Sequence, residues 1–166
     1  MIRDATPRWE KEAPAVRSVE LRRHARRDPD ADRLSPEGRL QAEDVGRTLA
    51  GGYAAVYVAP AQRAAETAAW FLRGLGEQLP DHGVIPGLAG EDPGGSDAAG
   101  MAETVRALLA GIPDGARALA VGHTPLIERA AEGLTGERIE PLGECEGILV
   151  TEEDGSLRVR ELRLTG

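Results

Sequence analysis

Three times along this chain a short run suited to a β-strand is followed, within a few residues, by a stretch suited to a helix. "SVELR" (18–22) leads through a basic loop to "LSPEGRLQAEDVGRTLAGG", "AAVYVAP" leads to "AQRAAETAAWFLRGLG", and "ARALAVGH" leads to "PLIERAAEGLTG". A strand that reaches the next strand by way of a helix returns to the same sheet as a crossover, which makes neighbouring strands parallel. The pattern predicts an α/β fold, a three-layer αβα sandwich around a mostly parallel sheet. The tail "GECEGILVTEEDGSLRVRELRL" reads differently, as two alternating strands joined at Asp154 and Gly155, so an antiparallel addition is expected at the C-terminal end.

Local signals place the boundaries. Ser35 is an expected N-cap with Pro36 at the first helical position, and the glycines at 51 and 52 are the expected stop. Pro60 ends the second strand. Val105, Leu108, Leu109 and Ile112 recur at the spacing of one helical face. Between these elements "HGVIPGLAGEDPGGSDAAG" holds one short apolar run and then a loop of glycine and acid. The 166 residues suit one domain, 17–166, preceded by an N-terminal extension, 1–16.

Composition excludes some classes of function. The formal net charge is -8, whereas a surface that tracks nucleic acid or an anionic membrane needs positive charge over a wide area. No nucleic-acid partner and no membrane partner is expected. The single cysteine, Cys145, cannot form an internal disulfide and has no metal-ligand spacing around it. No run near the start suits a signal peptide and no window approaches a membrane span, so a soluble cytoplasmic protein is the expectation. Oligomeric state is not legible.

Within an acidic chain, "VELRRHARRD" (19–28) sets a histidine among four arginines directly after a strand. Like charges so placed repel unless an anion separates them or water screens them, and the candidate anion is phosphate. His123 also follows a strand directly, and Arg63 lies at the turn between the second strand and its helix. Ligands of open α/β sheets bind at the carboxyl ends of strands. Arg23, His24, Arg63 and His123 are therefore expected to converge on one pocket. Arg22, Arg26, Arg27 and Arg33 read first as solvated surface residues, and His82, in the polar turn "LPDHG", as surface too.

The segments "LRRHA", "LSPEGRLQA", "VYVAPAQRAAETA" and "ALAVGHTPLIE", in that order, resemble the signature segments of the histidine phosphatase superfamily, whose fold is shared with cofactor-dependent phosphoglycerate mutases. The resemblance covers roughly residues 17–165. It implies that His24 is a nucleophile that takes the phosphoryl group as phosphohistidine, which water then hydrolyses. Arg23 and Arg63 would be planar clamps on the phosphoryl oxygens, and His123 a second histidine that stabilises charge growing in the transition state. Arg27 and Thr124 would be ancillary substrate contacts. That scheme requires no metal and no cofactor, because arginine and histidine supply the positive charge.

The resemblance also implies a carboxylic acid that protonates the leaving oxygen, from a Glu-x-x-x-Gly type segment after the third strand. Here that region reads "GLAGEDPGGSD", where Glu91 and Asp92 are the acids in position to serve. The short chain and its "GED" stretch resemble the small bacterial phosphohistidine phosphatase subgroup, with a compact, open site. The implied activity is that of a phosphoric monoester hydrolase acting on a phosphohistidine protein or a phosphorylated small molecule. The alternatives are a phosphate-binding or regulatory module without turnover and, further off, a phosphoglycerate-mutase-type phosphotransferase.

Overall fold

The computed structural model describes residues 16–91 and 94–164; of the expected N-terminal extension only Val16 is among them, and Asp92 lies outside them. Among the described residues six strands alternate with four helices: β1 (Val16–Arg23), α1 (Pro36–Gly46), β2 (Ala55–Val58), α2 (Gln62–Gly74), β3 (Gly83–Val84), α3 (Ala98–Ala110), β4 (Arg117–Gly122), α4 (Leu126–Thr135), β5 (Gly147–Glu153) and β6 (Ser156–Leu162). A short 3-10 turn, Pro86–Ala89, precedes α3.

The strands form one sheet in the order β3-β2-β4-β1-β5-β6. The β2–β3, β2–β4 and β1–β4 pairings are parallel, whereas β5 runs antiparallel to β1 and β6 antiparallel to β5. The expected αβα sandwich with an antiparallel C-terminal addition is the fold observed. Its last hairpin turns at Asp154 and Gly155, both at positive φ (51° and 79°), the pair of left-handed residues that a two-residue hairpin turn demands.

The layers follow from where apolar side chains fall. β4 is buried along nearly its whole length, as a strand covered on both faces must be. In α3 the expected stripe is found: Val105, Leu108 and Leu109 are buried, and Ile112, just past the helix end, is buried with them. α1 packs on α2 and α3 on α4. The one phenylalanine, Phe71, is wholly buried in α2; truncating such a side chain to alanine costs about 3 to 5 kcal/mol.

Two expectations need correction. α1 ends at Gly46, ahead of the glycines at 51 and 52. The chain leaves the helix by tighter turns there: the amides of Thr48 and Leu49 donate to the carbonyls of Val45 and Gly46, and the Thr48 hydroxyl donates to Val45 O at 2.7 Å. The second correction is Arg22, which is not solvated but only 7% exposed. "SVELR" alternates as a half-buried strand would, yet β1 lies inside the sheet with β4 on one side and β5 on the other. Its polar face is buried as well, and it is satisfied internally: Arg22 Nε donates to Glu20 at 2.6 Å, Arg22 Nη1 to Cys145 O at 2.8 Å, and the Tyr53 hydroxyl to Glu20 at 2.9 Å.

Candidate active site

Parallel pairing of β1 with β4 creates the site. In that register Arg23 stands opposite Gly122, so the next residue of each strand, His24 and His123, leaves the sheet at the same edge. The His24 amide donates to Gly122 O at 3.1 Å and continues the ladder one step past the strand. The two imidazoles meet edge to face, with ring centroids 5.4 Å apart and planes at 67°.

The backbone loop after His24 is pinned from two helices. Ser35 caps α1, its hydroxyl accepting from Gly38 N at 3.0 Å. A Cβ on Gly38 would come within 2.0 Å of Arg26 O, so only glycine lets this helix approach the loop so closely. From α2, the Thr67 hydroxyl accepts from the Ala25 amide at 3.0 Å and donates to Arg63 O at 2.8 Å.

Hydrogen bonds assign opposite tautomers to the two rings. His24 Nδ1 lies 2.7 Å from the Ala25 carbonyl, which can only accept, so Nδ1 carries the proton and Nε2 presents a lone pair. His123 Nδ1 lies 3.4 Å from Arg63 Nη2, which can only donate, so this ring carries its proton on Nε2. The surroundings of both rings disfavour the charged form. Burial pushes the His24 pKa below its ordinary 6.5, and Arg63, Arg23 and Arg27 add to that against the raising effect of the Ala25 bond. Burial, then Arg63 and His24, lower His123 to about 4.

The arginines frame the pair. Arg23 donates from Nη1 to Leu142 O at 2.8 Å, and its backbone joins the 142–146 turn through Glu146 O at 2.8 Å and Cys145 N at 3.2 Å. Arg63 is fixed by Asp32, whose carboxylate accepts from Arg63 Nη1 at 2.9 Å, Arg63 N at 3.1 Å and Gln62 N at 2.9 Å. Partial burial works against the Asp32 charge, but the two amides and the guanidinium together keep its pKa below the ordinary carboxylate value. Asp32 thereby caps α2 from outside, where Ala61 at the N-cap position has no side chain able to do so. Arg23 and Arg63 each keep a buried Nε with no partner among the described residues. A buried donor left without an acceptor costs about 1 to 3 kcal/mol, so these guanidiniums are suited to an anionic acceptor.

The remaining residues are less central. Arg27 bonds to the carbonyls of Asp28 and Ala31 and reaches the histidines only through its field. The Thr124 hydroxyl donates its proton to Glu128. Arg26 and Arg33 are exposed and paired with Glu144 and Asp28, and His82 is exposed, as expected. The Glu91 carboxyl is exposed and bonds to no side chain among the described residues. A hollow of about 610 Å³ between the 3-10 turn and α3 is lined by Ile85, Pro86, Thr104 and Leu108 and by none of the residues above. Sequence reasoning missed Asp32, Thr67 and Glu128. Thr67 was legible at i+4 from Arg63 on one helix face, but nothing local ties Asp32 to a helix 30 residues on.

A six-stranded sheet in this order, with parallel strands at its centre and an antiparallel pair at one side, is a phosphoglycerate-mutase-like fold. Residues 15–90 match the model of the histidine phosphatase superfamily (branch 1). No curated protein sequence matches it. Among solved structures it is similar to the protein histidine phosphatase SixA complexed with tungstate, at 22% identity and TM-score 0.69 over 88% of this chain and 96% of that one. It is also similar to a phosphoserine phosphatase mutant from Entamoeba histolytica in complex with phosphoserine (18%, TM-score 0.68, 89% and 96%). A mycobacterial glucosyl-3-phosphoglycerate phosphatase is a third such structure (17%, TM-score 0.65, 91% and 100%). At these identities the likeness is one of fold.

Proposed function

We propose that this protein is a metal-independent phosphatase that works through a phosphohistidine on His24. The observation that carries the reading is the histidine pair, ring centroids 5.4 Å apart, with a carbonyl acceptor at His24 Nδ1 and a guanidinium donor at His123 Nδ1, contacts that favour a lone pair on His24 Nε2 and a proton on His123 Nε2. In the first step His24 Nε2 forms a bond to phosphorus as the bond to the leaving group breaks. The leaving group departs with the electron pair and takes up a proton. In the second, water attacks phosphorus, the N–P bond breaks, and the electron pair returns to Nε2.

Charge growing on the phosphoryl oxygens meets Arg23, Arg63 and the His123 Nε2–H, donors already oriented before substrate arrives. The arginines do the electrostatic work that a metal ion does elsewhere. Tungstate in the SixA structure is a tetrahedral oxyanion of the shape this arrangement suits. Thr124 has spent its proton on Glu128 and would contact substrate as an acceptor, and Arg27 would act at longer range.

Two substrate classes fit: a phosphohistidine on a partner protein and a small phosphomonoester. Glu91, the proton donor we assign for alkoxide leaving groups, would serve from an exposed position, so the site is best matched to leaving groups that need little help. Imidazole is one of these, since its pKa of about 6.5 lets it arrive protonated from water. The testing experiment is phosphate release from a panel of phosphohistidine peptide, p-nitrophenyl phosphate and sugar phosphates. Phosphate bound without release from any of them would leave only a binding module.

A further inference from the structure

Glu128 sits in the first turn of α4, and the reaction scheme gives it no task. Its Oε2 accepts two hydrogen bonds, one from the Thr124 hydroxyl next to His123 and one, at 3.1 Å, from the backbone amide of Leu142. On the other side of the same residue, the Leu142 carbonyl accepts from Arg23 Nη1 at 2.8 Å. Its Oε1 is buried without a partner among the described residues.

We propose that Glu128 is a positioning residue for the phosphoryl clamp: through Leu142 it sets the plane of the Arg23 guanidinium, and it turns the proton of Thr124 away from the ligand. The inference rests on Arg23 being a phosphate ligand. A guanidinium is planar and rigid, so fixing Nη1 on one carbonyl fixes the direction of its remaining donors. That carbonyl is only as steady as the 142–146 turn bearing it. Glu146 ties the turn to itself and to the C-terminal tail, through Gly143 N at 2.7 Å and Leu164 N at 2.8 Å. Glu128 supplies the tie to α4, the helix that begins beside His123, so the clamp and the second histidine share one frame. A hydroxyl has a single proton, and once Glu128 takes it the Thr124 oxygen can only accept. An unpartnered buried carboxylate oxygen weakens a fold, and a residue kept at that cost is better explained by the site than by stability.

The test is orthovanadate binding to the full chain, followed by titration calorimetry for R23A, E128A, E128D, E128Q and the R23A/E128A double variant, with folding checked by near-UV circular dichroism. E128A is expected to weaken binding by about 10- to 100-fold, the scale set by ångström-sized misplacement. E128D, one carbon short of Leu142, should fall between. E128Q should lie closer to the parent than to E128A, because one amide oxygen can accept both bonds. Adding E128A to R23A should cost nothing further, whereas a merely structural role would add its own loss. Parent-like affinity in folded E128A or E128D overturns the inference. Should E128A not fold, E128D against E128Q decides it in the same sense. If R23A itself retains parent-like affinity, the reading of Arg23 as phosphate ligand has failed instead.

Discussion

His24 and His123 face each other edge to face at 5.4 Å, one ring offering a lone pair and the other a proton. The asymmetry comes from two different neighbours, a carbonyl that only accepts and a guanidinium that only donates. It predicts unequal consequences of removal. His24→Ala should lower kcat by more than about 10³-fold and abolish an acid-labile, base-stable phosphoenzyme. His123→Ala, which removes one oriented donor, should cost about 10²- to 10³-fold while the phosphoenzyme still forms. Rapid-quench labelling with a phosphorylated substrate separates the two, and activity within tenfold of the parent in His24→Ala would exclude it as nucleophile.

The pH dependence follows from the lowered histidine pKa values. A neutral His24 is needed for attack, so the acid limb of kcat/KM should lie below pH 6.5. For stability, His123 titrates near 4 in the fold against 6.5 in the unfolded chain. Between those values the unfolded chain holds a proton that the fold does not, so stability falls as pH drops from 6.5 toward 4. His24 adds in the same direction. Denaturant titrations across this range should show a smaller fall in His123→Gln. A fall of the same size there would contradict the assignment.

Asp32 should affect stability and activity together. Asp32→Ala removes the acceptor for two amides at the start of α2, a cap worth about 1 kcal/mol. It also frees Arg63, and kcat/KM should fall by about 10- to 100-fold through misplacement of that fork. Asp32→Asn keeps one acceptor oxygen and should recover part of the stability. Thermal melts read beside kinetics test the pairing, which loss of stability without loss of activity would refute.

Leaving-group dependence probes Glu91. A positioned carboxylic acid contributes about 10² to 10⁴ in rate when the leaving group is an alkoxide and little when it is p-nitrophenolate. Glu91→Gln should therefore slow alkyl phosphate hydrolysis selectively, with Asp92→Asn as its comparison. Selective loss in Asp92→Asn would move the role there. With no discrimination in either variant, neither carboxyl serves as the proton donor.

Metal removal gives the last expectation. With the charge of the transferring group met by arginine and histidine, activity should survive EDTA followed by gel filtration. Loss that Mg²⁺ or Zn²⁺ restores would require a different mechanism.

The sequence alone determined what short-range rules govern. Strand and helix order, the Ser35 cap, the stripe through Val105 and Leu109 and the Asp154–Gly155 turn each depend on a few neighbouring residues, and each could be read. Strand ends then located His24 and His123, because ligands of parallel sheets gather there. The tertiary structure decided which strands became neighbours, and with them the partners. Only the β2-β4-β1-β5 order buries Arg22 and seats Glu20 beside it, where local alternation had indicated a half-exposed strand. Only the packing of α2 against the loop after His24 brings Asp32 to Arg63 and Arg63 to His123. The proton positions on the two rings depend on those contacts. A tautomer is set by whichever group lies opposite each nitrogen, and for His123 that group comes from 60 residues away.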